Sequence, residues 1–377
     1  MDTAIVYIHT NKYSPLTVDK NASEAIAALA SMGHDIASTH NIFADGDYQK
    51  ALNFIANLNA DSIVLVGDYD EILSSFKTKF SLDKDFAAYS IEGKFYVFAS
   101  DLSFDTITSL IVPTLNSRQK TLYSAYTLRT FGLSEEQLIE RLSDCLKNKS
   151  RIGFKFVKMG HLLYEVQIKY SSKMQRDKVT AIIKQATESL QDVTYSLTGG
   201  SLSEVIVKLL TTYKKTLCTV ESFTGGALAA SIVKIDGASA VFTESMVTYS
   251  DAAKQARLGL DSRVLSRFGA VSIEAAYEMA ANALSIGGTD FVIATTGNAS
   301  ESIANPKLLK LKKGQFFIAV GTRGGIHIFD SYLDGAREEI IEFGVNTALF
   351  NLYKTIKEGF NQILAGQTLV QNQQKGI

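Results

Sequence analysis

A serine, a tyrosine and a lysine within one stretch of 44 residues carry the most chemistry in this chain. Ser222 lies in Glu221-Ser222-Phe223-Thr224-Gly225-Gly226, after the apolar run Leu217-Cys218-Thr219-Val220 and before the Ala-rich segment 227–233. An apolar run of that length reads as a buried strand, and the Ala-rich segment reads as a helix. A strand that feeds a small-residue turn opening a helix presents backbone N–H groups, and the helix dipole there favours negative charge. Ser222 then sits where a nucleophilic or phosphate-binding hydroxyl belongs. Capping of the helix by Ser222 or Thr224 is the plainer alternative. Beyond a second apolar strand, Tyr249 and Lys254 stand five positions apart in Val247-Thr248-Tyr249-Ser250-Asp251-Ala252-Ala253-Lys254. A partly desolvated lysine, or a tyrosine held by it, serves as general base for a hydroxyl. The five histidines (His9, His34, His40, His161 and His327) lie outside these segments, so Ser-Lys or Ser-Tyr-Lys chemistry replaces a Ser-His-Asp arrangement.

The set ESFTGG, then VTYSDAAK, then Gly269-Ala270-Val271-Ser272 closely resembles the C-terminal domain of the CinA family, the competence/damage-inducible proteins. That domain also occurs alone as nicotinamide mononucleotide deamidase. The resemblance implies a metal-free amidohydrolase that converts nicotinamide mononucleotide to nicotinate mononucleotide and ammonia, with no cofactor. It makes Ser222 the nucleophile, and Tyr249 and Lys254 the residues that activate it or orient substrate. Thr224, Gly225, Gly226, Thr296, Gly297 and Arg337 become substrate-binding positions, Arg337 matching the arginine of the family's Gly-Asp-Arg motif and suiting a phosphate by bidentate hydrogen bonding. Amides around residues 223–226 are the candidate oxyanion hole.

Three departures bear on this. Phe223 replaces the family's cysteine, Ala336 replaces the aspartate of Gly-Asp-Arg, and Thr296-Gly297-Asn298-Ala299-Ser300-Glu301-Ser302 replaces a glycine-rich loop. Fewer glycines restrict the backbone near a phosphate, and Glu301 adds a negative charge. The alternative these departures support is a catalytically impaired CinA-like protein acting as a nucleotide sensor or interaction scaffold.

The elements that position such a site follow from the rest of the chain. At 377 residues two or three domains are expected, and 46 % hydrophobic with 20 % charged residues describes a globular protein with ample core. A net charge of −1 argues against a dedicated polyanion binder. Cys145 and Cys218 make neither a disulfide framework nor a zinc site, and Cys218 reads as a core thiol. With no basic leader and no apolar run of membrane-spanning length, a cytoplasmic protein without membrane contact is expected.

Strands over 4–8, 61–66 and 95–99 alternate with helices over 21–32 and 48–56, which predicts a three-layer α/β unit over about 1–120. The resemblance makes residues 1–122 a molybdopterin-binding-like domain. Its ADP-ribose pyrophosphatase activity is expected to be lost, because His9-Thr10-Asn11-Lys12 and Gly67-Asp68-Tyr69-Asp70-Glu71 lack the phosphate cradle and most of the metal-binding carboxylates. Asp68, Asp70 and Glu71 read as a solvated turn.

Residues 123–198 match the family's small KH-like α+β domain: Ser134 as an N-cap with a reciprocal partner, strands over 151–158 and 164–170, and a helix over 178–190. Lys149, Arg151, Lys155, Lys158, Lys169, Lys173, Arg176 and Lys178 make it locally basic. Without a Gly-x-x-Gly loop, RNA binding is not expected.

Residues 199–365 then form the C-terminal three-layer α/β domain. Helices are expected over 202–213 and 274–284, a strand over 290–295, antiparallel strands over 314–320 and 325–331, and a last helix from Gly335. The polar tail 366–377 is expected to be disordered. The family reading also implies a homodimer.

Overall fold

The computed structural model describes residues 2–9, 22–44, 48–118, 123–147, 152–300 and 312–374. Among the described residues the chain is mixed α/β with three sheets, and it divides into two compact units. One comprises residues 1–127, 140–156 and 166–189, the other 128–139, 157–165 and 190–377.

The first sheet is built from β1 (Thr3–His9), β2 (Ile36–Phe43), β3 (Ser62–Gly67), β4 (Ala88–Ile91) and β5 (Lys94–Ala99), in the order β2-β1-β3-β5-β4. All pairs are parallel except β4 with β5. Helices α1 (Ala22–Ser31), α2 (Tyr48–Ala56) and α3 (Tyr69–Phe80) connect the strands. A last helical stretch runs from α4 (Phe104–Thr106) through a π turn into α5 (Val112–Asn116).

Alternation along β1 explains the layering. Ala4, Val6 and Ile8 enter one apolar cluster with Leu52, Ile55, Ile72 and Phe76, while Ile5 enters another with Leu29, Ile107 and Leu115. Phe76 is fully buried among the rings of Phe80, Tyr89, Tyr96 and Phe98. Phe76→Ala is expected to cost about 3–5 kcal/mol in urea unfolding.

β2 and α3 are among the elements that lie outside the sequence expectation. β2 is an edge strand of mixed polarity whose residues alternate between half-buried and exposed. The acidic turn belongs to α3: Asp68 caps it by accepting from the Glu71 amide at 3.3 Å, and Glu71 accepts the Tyr48 hydroxyl. The Thr10-Asn11-Lys12 turn falls outside the described residues.

β6 (Tyr123–Phe131), α6 (Glu135–Arg141), α7 (Ser143–Leu146), β7 (Ile152–Gly160), β8 (Leu163–Ser171), α8 (Arg176–Ser189) and β9 (Thr194–Ser196) follow, with sheet order β7-β8-β6-β9. The capping pair at α6 forms as expected: the Ser134 amide donates to Gln137 Oε1, and the Gln137 amide to Ser134 Oγ. Within the expected basic patch, Lys155 and Lys169 both pair with Asp35. Lys149 and Arg151 lie outside the described residues.

The last sheet comprises β10 (Leu217–Glu221), β11 (Phe242–Val247), β12 (Phe291–Gly297), β13 (Gln315–Thr322) and β14 (Gly325–Tyr332), ordered β11-β10-β12-β13-β14. β10 runs parallel to both β11 and β12, while β13 and β14 add on antiparallel. The helices are α9 (Leu202–Tyr213), α10 (Ala227–Val233), α11 (Asp251–Leu258), α12 (Ser262–Phe268), α13 (Ile273–Gly287) and α14 (Arg337–Gln374). Ser201 and Glu204 close a capping box on α9. Leu217 and Ile293 face a cluster containing Ile206, Leu228, Ile340 and Leu352, whereas Cys218, Val220, Val292 and Ala294 face Met279, Ala280 and Leu265. Burial pushes the Cys218 thiol up to about 11, as befits an inert core residue.

The expected disordered tail is corrected by α14, which continues to Gln374; of the tail, residues 375–377 fall outside the described chain. Its polar end contains no proline and is rich in glutamine, a good helix former. Among the described residues no helix is long and apolar enough to cross a membrane.

Candidate active site

The chain reverses its winding direction at β10: the connection through α10 leads to β11 on one side, and the next strand of the sheet, β12, lies on the other. In open α/β sheets the crevice at the carboxyl ends of strands at such a point is where ligands bind. Ser222 is the residue that emerges there from β10, and it is 7 % exposed.

Its setting is fixed by backbone bonds on both sides. The Ser222 amide donates to the Thr295 carbonyl at 3.0 Å, and the Thr248 amide donates to the Glu221 carbonyl at 2.8 Å. The turn closes when the Gly225 amide donates to the Ser222 carbonyl at 3.1 Å. Gly225 and Gly226 follow with φ of 60° and 98°, a left-handed pair that only glycine adopts freely.

Glu221 was not singled out by the sequence, yet it organises this turn. Its fully buried carboxylate accepts the amides of Gly226 at 2.9 Å, Leu228 at 3.1 Å and Ala229 at 2.8 Å. The amino end of α10 is therefore already occupied by a negative charge from the protein itself. The readable signal was an acidic residue directly before the small-residue turn. Glu221→Gln sets an amide N–H₂ against backbone N–H groups, and a thermal melt is expected to show a loss of about 1–3 kcal/mol.

Lys254 reaches Ser222 from α11. Ser250 caps that helix by accepting from the Ala253 amide, and Lys254 and Leu258, one turn apart, form its buried face. Only 1 % of Lys254 is exposed. Its Nζ lies 3.0 Å from Ser222 Oγ, 2.9 Å from the Thr248 carbonyl and 3.2 Å from the Tyr249 carbonyl. Burial pushes its pKa below 10.5, against a smaller opposing effect of Asp251. A neutral amine satisfies this geometry fully: two N–H bonds go to the two carbonyls, and the lone pair takes the Ser222 hydroxyl proton.

Tyr249 stands elsewhere. It is 58 % exposed, and its hydroxyl accepts from Arg337 Nη2 at 3.0 Å, while Arg337 Nη1 donates to Ser300 Oγ at 3.3 Å. Among the described residues no hydrogen bond joins the Tyr249 hydroxyl to Ser222 or Lys254. The Tyr249 side chain pairs with Arg337, and only its backbone carbonyl touches the lysine. The phenol and guanidinium together present donors to an anion at the first residue of α14.

The remaining candidates divide by strand parity. Thr224 is buried and bonds Thr295 Oγ1 at 2.8 Å; Thr296 is fully buried and donates to the Ala270 carbonyl at 2.5 Å. Thr295, rather than Thr296, is the strand threonine that meets the Ser222 turn. The amides of Gly225 and Gly226 are consumed within the turn, whereas those of Phe223 and Thr224 make no hydrogen bond among the described residues. These two are the donors left for an oxyanion. Gly297 is demanded by proximity, since a Cβ there would lie 2.5 Å from Phe316 Cβ. Glu301 and Ser302 lie outside the described residues.

Residues 196–356 match the family model described as the CinA C-terminal domain. A "CinA-like protein" of Kosmotoga olearia is 32 % identical over 232 residues, covering 61 % of this chain and 56 % of its own. A "putative competence-damage inducible protein" of Clostridium perfringens is 35 % identical over 193 residues, covering 51 % and 47 %. The chain thus spans about half the length of these relatives. Among solved structures, competence damage-inducible protein A of Klebsiella pneumoniae shares 28 % identity over 41 % of this chain and 95 % of that one, with a TM-score of 0.40.

Proposed function

The chain belongs to the CinA family through residues 196–356, and on that premise we propose that this domain is an amidohydrolase acting on nicotinamide mononucleotide. The observation that carries the proposal is the buried Lys254 amine held 3.0 Å from Ser222 Oγ by two backbone carbonyls.

In this reading the neutral Lys254 takes the Ser222 proton as Oγ attacks the carboxamide carbon. The Phe223 and Thr224 amides stabilise the oxyanion, and the Lys254 ammonium returns its proton to the departing ammonia. Lys254 then deprotonates water, which cleaves the serine ester and releases nicotinate mononucleotide. Tyr249 and Arg337 hold the 5′-phosphate. The same family reading leads us to propose domains over 1–122, 123–198 and 199–365, as sequence segments rather than compact units.

Chromatographic detection of nicotinate mononucleotide tests this. Turnover is expected, with kcat/KM lower for nicotinamide riboside, which has no phosphate for Arg337. A second reading, a nucleotide sensor, draws on the inward bonding of the Thr296 hydroxyl and the Gly225 and Gly226 amides, which narrows the cradle. Saturable binding of the mononucleotide without turnover would favour it.

A further inference from the structure

Phe223, the neighbour of Ser222, is 4 % exposed and fills a notch made by two glycines. A Cβ on Gly344 of α14 would lie 2.4 Å from Phe223 Cζ and 2.8 Å from Cε2. A Cβ on Gly297 would lie 3.0 Å from Phe223 Cγ and Cδ1. The ring also stacks on Phe316, with centroids 5.2 Å apart, and Phe343 meets Phe316 edge-on from α14 at 5.8 Å. Gly344 stands seven residues after Arg337 on the same helix. One rigid element therefore bears on both the anion-holding arginine and the residue beside the nucleophile.

We propose that Phe223, seated between Gly344 and Gly297, is a positioning residue that sets Ser222 Oγ and the Phe223 amide for reaction. The proposal rests on Ser222 being the nucleophile. Alanine is ordinarily better than glycine inside a helix, so a harmful Gly344→Ala is a specific expectation. The added methyl must displace the ring, and the ring is bonded through one backbone to the serine and to one oxyanion donor. Phe223→Leu removes the distal ring atoms that the methyl would overlap, so it should compensate.

The test is the initial rate at which a fluorophosphonate labels Ser222, followed by intact-protein mass. In that reaction Oγ bonds to phosphorus, fluoride leaves, and the hydroxyl proton passes to Lys254. No nucleotide is needed. Gly344→Ala is expected to slow labelling about 100-fold. Phe223→Leu alone should slow it less, and the double variant should label faster than Gly344→Ala. Wild-type rates in Gly344→Ala would overturn the proposal. So would a double variant no faster than Gly344→Ala when both unfold cooperatively near the wild-type temperature. If Gly344→Ala does not fold, Phe223→Leu decides: slower labelling supports positioning, and an unchanged rate overturns it. A wild-type protein unlabelled at Ser222 would instead sink the nucleophile reading, and this proposal with it.

Discussion

Replacing Lys254 by methionine is expected to lower kcat about 10²- to 10⁴-fold, the range for losing a positioned general base. Methionine fills much of the same volume but supplies neither lone pair nor N–H groups. It strands the Thr248 and Tyr249 carbonyls, which now accept at 2.9 Å and 3.2 Å. In the wild type, kcat/KM should rise with pH through the lowered pKa of Lys254, because only the neutral amine can take the serine proton.

The same titration acts on stability, with a sign opposite to that of a lysine in a salt bridge. Burial lowers the Lys254 pKa in the folded chain below the 10.5 of an exposed lysine. Between the two values the unfolded chain binds more protons, so unfolding free energy rises with pH across that window. Below it the cost of burying the ammonium is complete and constant. Urea unfolding at a series of pH values should show this slope in the wild type and its loss in Lys254→Met.

Arg337→Ala is expected to reduce kcat/KM for the mononucleotide by about 10- to 100-fold, the loss of one charge-assisted hydrogen-bonding group. For nicotinamide riboside the effect should be small. Arg337 is exposed at the start of α14 and its partners are Tyr249 and Ser300, so folding should be nearly unaffected. Equal losses on both substrates would assign Arg337 a structural role. Tyr249→Phe should act in the same direction as Arg337→Ala and more weakly, since the phenol contacts the guanidinium rather than the lysine amine.

How much of this is legible in the sequence depends on local physics. The apolar run 217–220 and the glycine pair after it specify a buried strand and a left-handed turn within ten residues, and both formed. β2 is not legible in the sequence because an edge strand needs no continuous apolar run; Ile36–Phe43 mixes Ser, Thr, His and Asn. Which of Thr295 and Thr296 meets the serine is a matter of strand parity, decided by the side on which α10 packs. Tyr249 and Arg337 are separated by 88 positions, so their pairing is a product of topology alone. Glu221 was hidden differently: a carboxylate at a strand end reads as exposed until three amides are found pointing at it.

The most direct test of the central claim is ammonia release from nicotinamide mononucleotide, without added metal, by the wild type and Ser222→Ala in parallel. Steady release by the wild type and none above background by Ser222→Ala is the expected result. Release that persists in Ser222→Ala would contradict the serine mechanism, and silence in both would contradict the amidohydrolase itself.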